Sequence, residues 1–224
     1  MRLYYMTSYD TAAKYIFPEH RMRLSQFDRL NDPFELRSVR LDGRKGREAY
    51  KDLLKYWHKK LGIICMGQHW KSPVMWAHYA DNHAGVCLGF DVPDEVTRKI
   101  KYVPERTILK LDHTLPLHGV SKEMLEELLV TKYVHWEYEQ EWRLWAKLAD
   151  PDPINGEYYL PFGPALALRE VIIGARCKHS AMHFDKLLGR VDQTVTIIKA
   201  RPAFETFEVV TQQTFKPVLI KARP

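Results

Sequence analysis

Three short runs rich in apolar residues dominate the hydrophobic pattern of the chain. They occupy residues 61–66, 86–91 and 168–174. The first run is continuous, which is typical of a strand that is buried on both faces. The other two runs are also predicted to be strands.

Between the first two runs, apolar side chains recur at helical spacing over residues 75–80. Ser72 followed by Pro73 is a strong helix start, because serine caps the first free amides and proline suits the first helical position. Asn82 and Gly85 mark the end of this helix. The segment therefore predicts a strand–helix–strand unit of about 30 residues.

The remaining pattern alternates short strands with short helices. Strands are predicted at 2–6, 21–25, 100–103, 194–200 and 209–220, helices at 12–16, 49–57, 121–129 and 179–189, and charged or proline-rich loops at 43–48 and 104–119. No repeated βα unit is visible. We expect an α+β fold in which a split, mainly antiparallel β core is flanked by helices, in a single domain spanning residues 1–224.

A compact turn is predicted at residues 31–35, where the sequence reads Asn-Asp-Pro-Phe-Glu. Asn and Asp before a proline accept hydrogen bonds from nearby backbone amides and fix a tight turn. We expect Phe34 to fill the core beneath this turn.

Composition places the chain among ordinary globular proteins, with 46% hydrophobic and 28% charged residues. No apolar run approaches the roughly 20 residues that span a bilayer, so no membrane partner is predicted. The three cysteines are odd in number and lie in apolar contexts, which favours a reducing, cytoplasmic setting. Histidines and cysteines between residues 65 and 87 lack the paired short spacings of zinc sites, so no metal is predicted.

The net charge of +6 is concentrated near the start of the chain, because residues 1–60 contain 14 Lys and Arg against 8 Asp and Glu. A basic surface of this kind suits a nucleotide or nucleic acid, although it also serves solubility on a solvated helix. The candidate phosphate contacts flank the strand at 21–25 or lie in the loop at 43–48. They are Arg21, Arg23, Arg29, Arg44, Lys45 and Arg47.

Two acids stand out at the entrance to the apolar run 142–148. Glu139 and Glu141 are two residues apart within Trp-Glu-Tyr-Glu-Gln-Glu-Trp-Arg-Leu, residues 136–144. If both belong to one strand, their side chains point to the same face and raise each other's proton affinity. The structural alternative is that these acids form ion pairs with Arg143 or Lys147.

The helix at 75–80 carries Trp76, His78 and Tyr79. An aromatic stripe at this spacing packs in a core more often than it contacts a cofactor. The functional alternative is an aromatic wall for a planar ligand such as nicotinamide or adenine, to which Tyr79 and Tyr5 would contribute. No glycine-rich phosphate loop accompanies these residues.

Several separated segments resemble a bacterial domain of unknown function. Its marks are an Asn-Asp-Pro-Phe turn, a Trp-x-His-Tyr-Ala helix and a Tyr-Glu-x-Glu strand, and here they fall at 31–34, 76–80 and 138–141 within a match over most of residues 3–175. The family brings no settled activity.

A second resemblance concerns the ADP-ribosyltransferase superfamily, which has the same order of elements. Leu-Tyr-x-x-Thr-Ser ends the first strand, and Glu-x-Glu enters a later one. This resemblance implies an NAD-dependent transferase of the kind used as toxins or phage-defence effectors. Glu141 would contact the nicotinamide ribose and Glu139 would orient or deprotonate the acceptor. The implied NAD-binding residues are Tyr5, Thr7, Ser25, Trp76, His78 and Tyr79.

This chain departs from that pattern at Tyr5, where the superfamily usually has His or Arg. The rival hypothesis is a non-enzymatic module that binds a nucleotide, a nucleic acid or a partner protein. The two hypotheses differ in one observable. Burial of Glu141 against Arg143 or Lys132, with no cavity beside it, favours the module.

Overall fold

The computed structural model describes residues 1–40, 43–108 and 122–222 of the chain. Its α-helices are α1 (Tyr9–Thr11, continued by a π-helical turn at Ala12–Ile16), α2 (Gly43–His58), α3 (Pro73–Tyr79), α4 (Lys122–Val130) and α5 (Ala181–Leu188). Short 3-10 turns lie at Phe27–Arg29, Asp94–Val96 and Val134–Glu139.

Fifteen strands are described. They are β1 (Arg2–Thr7), β2 (Arg21–Arg23), β3 (Val39–Arg40), β4 (Leu61–Gly67), β5 (Val86–Asp91), β6 (Thr97–Lys99), β7 (Lys101–Val103), β8 (Thr107–Ile108), β9 (Thr131–Tyr133), β10 (Glu141–Lys147), β11 (Tyr159–Pro161), β12 (Ala167–Ile173), β13 (Val195–Pro202), β14 (Val209–Thr211) and β15 (Val218–Ile220).

One large sheet organises the described residues, in the order β14-β13-β12-β5-β1-β4-β10-β6, with β15 also on β13. All its pairings are antiparallel except that of β12 with β13. The expected α+β class with a mainly antiparallel sheet flanked by helices is therefore confirmed.

The sheet is continuous, but its two halves meet at a narrow seam. Strand β1 pairs with β5 along six residues, whereas it pairs with β4 only at Tyr4 and Gly67. On the far side of the seam, β4 pairs with β10 along seven residues. The expected split of the β core is therefore seen only as this short pairing of β1 with β4 within a continuous sheet.

The first face of the sheet carries the main hydrophobic core. Leu3, Leu88 and Val171 project from the central strands and are at most 1% exposed, because alternate residues of a strand point to the same face. Helix α5 covers them with Phe184, and Phe17, directly after the π-helical turn, also packs on them.

The opposite face is covered by α2, α3 and α4. Helix α3 begins where the sequence predicts, since the Ser72 side chain accepts a hydrogen bond from the amide of Met75 and Pro73 is the first helical residue. Trp76 of this helix is completely buried against β1 and β5. Leu129 of α4 packs on Ile63 of β4.

Three local predictions are wrong. The segment 43–48 forms the first turns of α2 instead of a loop. Phe34 is 60% exposed and does not fill the core. Strand β10 begins at Glu141, so Glu139 lies outside it, at the end of a 3-10 turn. Most of the predicted loop 104–119 lies outside the described residues, as does residue 121, where the helix 121–129 is predicted to begin.

Within the described ranges, no helix combines the length and the apolar character needed to cross a bilayer.

Candidate functional site

Five charged side chains meet in the interior and form what we call the ionic cluster. Its members are at most 8% exposed as residues. They are Glu35, Lys132, Glu139, Glu141 and Arg143. Charged residues are almost never this deeply buried unless they are paired, so the contacts among them decide what the cluster can do.

Lys132 joins the two acids that the sequence singles out. Its Nζ atom lies 2.5 Å from Oε2 of Glu139 and 2.9 Å from Oε2 of Glu141. The two carboxylates reach this nitrogen from different elements. Gln140 adopts a left-handed conformation with φ of 44°, which reverses the chain between the 3-10 turn and β10. The two acids therefore converge, although not through a shared strand face.

Arg143 is the second cation of the cluster and is fully buried. Its Nε donates to Oε1 of Glu141 at 2.8 Å, and one terminal nitrogen donates to Oε1 of Glu35 at 2.7 Å. The other terminal nitrogen donates to the carbonyl oxygen of Leu129 at 2.7 Å. Glu141 and Arg143 share a face of β10 because they are two residues apart.

Glu35 reaches the cluster through the turn at 31–35. The side chain of Asp32 accepts a hydrogen bond from the amide of Phe34 at 2.8 Å, and its carbonyl accepts one from the amide of Glu35 at 3.0 Å. This turn directs Glu35 inward and Phe34 outward. Sequence reasoning predicted the turn but missed this role of Glu35, whose partner Arg143 lies 108 residues away.

The cluster contains three acids and two bases, so it carries one negative charge in excess when every member is ionised. Burial raises the pKa of Glu141, but the charges of Arg143 and Lys132 outweigh burial and lower it to about 2. For Glu139 burial prevails, and its pKa lies above the ordinary value of a glutamate. The carboxylates raise the pKa of Lys132 in spite of its burial. Of the pair Glu139 and Glu141, Glu139 therefore accepts a proton more readily.

Tyr79 of α3 connects the cluster to the surface. Its hydroxyl donates to Oε1 of Glu139 and accepts a hydrogen bond from Nδ2 of Asn31 at 2.9 Å. Burial, followed by the hydrogen bond to Glu139, raises the pKa of Tyr79. Of the predicted site residues, Tyr79, Glu139 and Glu141 are thus brought together.

The other predicted NAD-binding residues lie elsewhere. Tyr5 packs on the first face of the sheet, opposite Tyr79. Trp76 is a core residue whose Nε1 donates to the carbonyl of Trp70 at 2.6 Å. His78 is exposed, with its ring 6.1 Å from that of Tyr138.

Thr7 and Ser25 take part in backbone pairing between strands. Thr7 is 6% exposed and pairs with Val86 at the end of β1. Ser25 forms an isolated bridge with Ile63, in which each amide donates to the other's carbonyl at 2.8 and 3.0 Å. Neither residue contacts the ionic cluster through a hydrogen bond or ion pair among the described residues.

The six basic candidates are spread over the surface. Arg21 pairs with Glu19 and Asp152, and Arg29 pairs with Glu157. Arg44 pairs with Glu48 along α2. The other three, Arg23, Lys45 and Arg47, are exposed.

A cavity of about 280 Å³ lies beside the ionic cluster, and we call it the aromatic cavity. Described residues from three segments line it, within 32–38, 103–106 and 131–136. Glu35 and Lys132 belong both to this lining and to the cluster. Glu139 and Glu141 are not part of the lining, so the cavity contacts the cluster only through the former two.

The described part of the chain contains no group of three or more His, Cys, Asp or Glu side chains arranged to hold a metal ion.

Comparison with known proteins identifies one segment of the chain. Residues 75–108 match the family model described as a protein of unknown function, DUF2971. The matched segment contains Tyr79, which donates to Glu139 of the cluster, and residues 103–106 of the cavity wall. The resemblance to a domain of unknown function is confirmed there. Searches of curated proteins and of solved structures gave no significant match, and nothing in the comparisons supports a resemblance to ADP-ribosyltransferases.

Proposed function

We propose that this chain is a nucleotide-binding module in which Glu139 and Glu141 hold the fold together. The burial of Glu141 carries the proposal. This residue is 3% exposed, and its two carboxylate oxygens accept from Arg143 and Lys132. A carboxylate held in this way contacts no ligand unless those ion pairs break, and breaking a buried pair is costly.

The aromatic cavity supports the choice of a nucleotide. Ligand sites combine apolar and aromatic walls with a few polar groups. Here Phe34, Tyr133 and Trp136 supply the walls, and Arg37 and Arg106 supply positive charge at the lining. Base-like rings and phosphates are the matching ligand groups.

A thermal-shift series with NAD, ATP and ADP-ribose tests binding. A ligand at 100 times its Kd adds about 2.7 kcal/mol to the free energy of unfolding, which raises Tm by about 5–11 °C for a chain of this length. An equal concentration of inorganic phosphate is the control for ionic effects. Unchanged Tm with all three nucleotides contradicts the proposal.

A second candidate is an NAD-dependent ADP-ribosyltransferase-like enzyme acting as a toxin or phage-defence effector. It is favoured by the raised pKa of Glu139 next to Glu141 and Tyr79, since perturbed acids cluster at catalytic sites. The weak seam between β1 and β4 supports the split sheet of that fold.

Release of nicotinamide from NAD separates the two candidates. The binding module leaves NAD intact, whereas the enzyme releases nicotinamide and loses this activity in Glu141→Gln, because a carboxylate stabilises the developing cation. Circular dichroism of the variant checks that it is folded. Release of nicotinamide by the wild-type chain contradicts the binding module. Release that persists in folded Glu141→Gln contradicts a catalytic role of Glu141.

Nucleic acid is a further proposed partner, through the basic residues near the start of the chain. Neutralising Arg44, Lys45 and Arg47 together removes three exposed charges from α2 without touching its buried side. If α2 binds phosphates, this triple variant shows a flatter dependence of DNA or RNA affinity on salt, with unchanged Tm. Affinity that does not vary with salt in the wild type contradicts a phosphate interface.

A further inference from the structure

We propose that the aromatic cavity binds one mononucleotide, with its base against Phe34, its phosphate on Arg37 and Arg106, and its ribose near Glu105. The inference rests on the proposed function and names its site and its ligand. It also separates the ligand from Glu139 and Glu141, which do not line this cavity.

The cavity is held open by short elements that converge from distant parts of the chain. Strand β7 pairs in parallel with β9, which places Val103 opposite Tyr133. Strand β3 pairs in parallel with β8 directly after residues 104–106. The turn at 31–35 is fixed from below by the ion pair of Glu35 with Arg143, at 2.7 Å. The residues that would contact the ligand therefore lie on elements that are already paired, which reduces the entropy lost on binding.

Two aromatic side chains of the lining keep large exposed surfaces. Phe34 is 60% exposed and Tyr133 is 45% exposed. The guanidinium carbon of Arg106 lies 5.3 Å from the ring centroid of Phe34. A planar ring that stacks on Phe34 gains apolar contact and brings its own substituents within reach of this guanidinium.

The charges at the rim remain available to a ligand. Among the described residues, Arg37, Arg106 and Glu105 form no salt bridge, and all three are exposed. Guanidinium groups bind phosphate through paired hydrogen bonds, and a carboxylate accepts hydrogen bonds from ribose hydroxyls. One acid beside two arginines therefore offers partners for both the hydroxyls and the phosphate of a sugar phosphate.

Size favours one nucleotide over two. The cavity of about 280 Å³ falls near the lower end of the range of about 300–1,000 Å³ for small-molecule sites. A dinucleotide such as NAD has two bases, two riboses and two phosphates. We therefore expect AMP to fill this cavity and the second half of NAD to extend beyond it.

Titration calorimetry with AMP and adenosine tests the assignment. Phe34→Ala weakens both ligands by about tenfold, the equivalent of about 1.4 kcal/mol, because both use the base. Arg106→Gln weakens AMP by about tenfold but leaves adenosine within about twofold, because only AMP has a phosphate. Phe34 and Arg106 are exposed, so both variants keep the core intact.

The chain offers a matched control. Arg201 lies 4.6 Å from the ring centroid of Phe204, and Phe204 is 92% exposed at a hairpin outside the aromatic cavity. Arg201→Gln and Phe204→Ala repeat the same two substitutions on the same kind of pair. Both are expected to bind AMP and adenosine as the wild type does.

The possible outcomes separate this inference from the proposed function. If the wild type binds AMP and the cavity variants alone lose affinity, the inference holds. If AMP binds equally well to Phe34→Ala and Arg106→Gln, the site is wrong while nucleotide binding stands. If NAD or ATP raises Tm and AMP does not bind, the assigned ligand is wrong while the module stands. If no nucleotide binds to the wild type, both proposals fail.

Discussion

Removal of Lys132 is the most direct perturbation of the ionic cluster. Its side chain is 4% exposed, and its ammonium nitrogen lies 2.5, 2.9 and 3.7 Å from oxygens of Glu139, Glu141 and Glu35. Lys132→Met keeps the length of the side chain but leaves three buried acids with only Arg143. The excess negative charge in the interior rises from one to two.

The loss of stability should be large because the carboxylates stay buried without their partner. Breaking a buried pair from one side costs about 3–5 kcal/mol. For a chain of this length that cost lowers Tm by about 6–20 °C. Urea unfolding at neutral pH, followed by tryptophan fluorescence, measures the free energy directly.

Lys101→Met is the matched control for this experiment. Lys101 makes one ion pair with Glu127 at 2.8 Å, but its side chain is 63% exposed. A surface pair contributes about 0–1 kcal/mol, so this variant should unfold almost as the wild type does. Equal losses for the two lysine variants would refute the view that the cluster is a buried and interdependent unit.

A double variant checks that charge balance is the cause. Glu139→Gln in the Lys132→Met background restores the excess of one negative charge. We expect it to recover about 1–3 kcal/mol, since residues within one network are coupled. Additive losses instead of recovery would assign the effect of Lys132 to packing against Trp136, whose ring centroid lies 4.9 Å from its ammonium nitrogen.

Three further predictions concern protonation within the ionic cluster, its hydrogen bond from Tyr79 and the close packing at Gly85. Because burial raises the pKa of Glu139, the folded state binds its proton more tightly, so stability should rise as pH falls from neutral toward the ordinary glutamate value of about 4.3. Because Glu141 has a pKa of about 2, the free energy of unfolding should then fall as the pH is lowered from about 4.3 to 2. Urea unfolding midpoints measured across this pH range should show both changes in the wild type, but only the fall in Glu139→Gln. A rise in stability that persists unchanged in Glu139→Gln would contradict the assignment to Glu139. Tyr79→Phe removes the hydroxyl donor to Glu139 and should lower the free energy of unfolding by about 1–3 kcal/mol, whereas a neutral result would mean that Glu139 needs no donor there. Gly85→Ala places a Cβ 2.2 Å from a backbone oxygen, so it should lower the free energy of unfolding, measured by thermal unfolding, by about 1–3 kcal/mol. Gly163→Ala places a Cβ with no atom within 4 Å and should leave the stability unchanged. Equal effects of the two variants would contradict the close packing at Gly85.

The sequence predicts the fold best where the hydrophobic period is strong. Strand β5 at 86–91 and the start of helix α3 at Pro73 agree with the predicted limits. The segment 43–48 fails because its charges and two glycines resemble a loop. Yet Lys, Arg and Glu are good helix formers, and the apolar face that holds this helix begins only at Tyr50.

The candidate site is harder to predict because its contacts are long-range. The spacing of Glu139 and Glu141 predicts a shared strand face, but Glu139 lies outside β10, so the two acids converge through the chain reversal at Gln140 instead. Arg143, two residues after Glu141, is a foreseeable partner. Glu35 gives no such signal, because nothing local indicates that it meets a residue 108 positions later. The outward position of Phe34 is likewise set by the turn, whose direction depends on where Glu35 finds its partner.

The position of β1 in the sheet has a consequence for the order of folding. This strand is first in sequence but lies near the middle of the sheet, where its long pairing is with β5. The side chains of Arg2 and Asp91 that meet across this pair are 89 residues apart in sequence. Pairs of such separation close slowly, because a long loop must be ordered before any contact compensates for it. While the chain is being synthesised, the long pairing of β1 therefore cannot form until residues 86–91 have emerged.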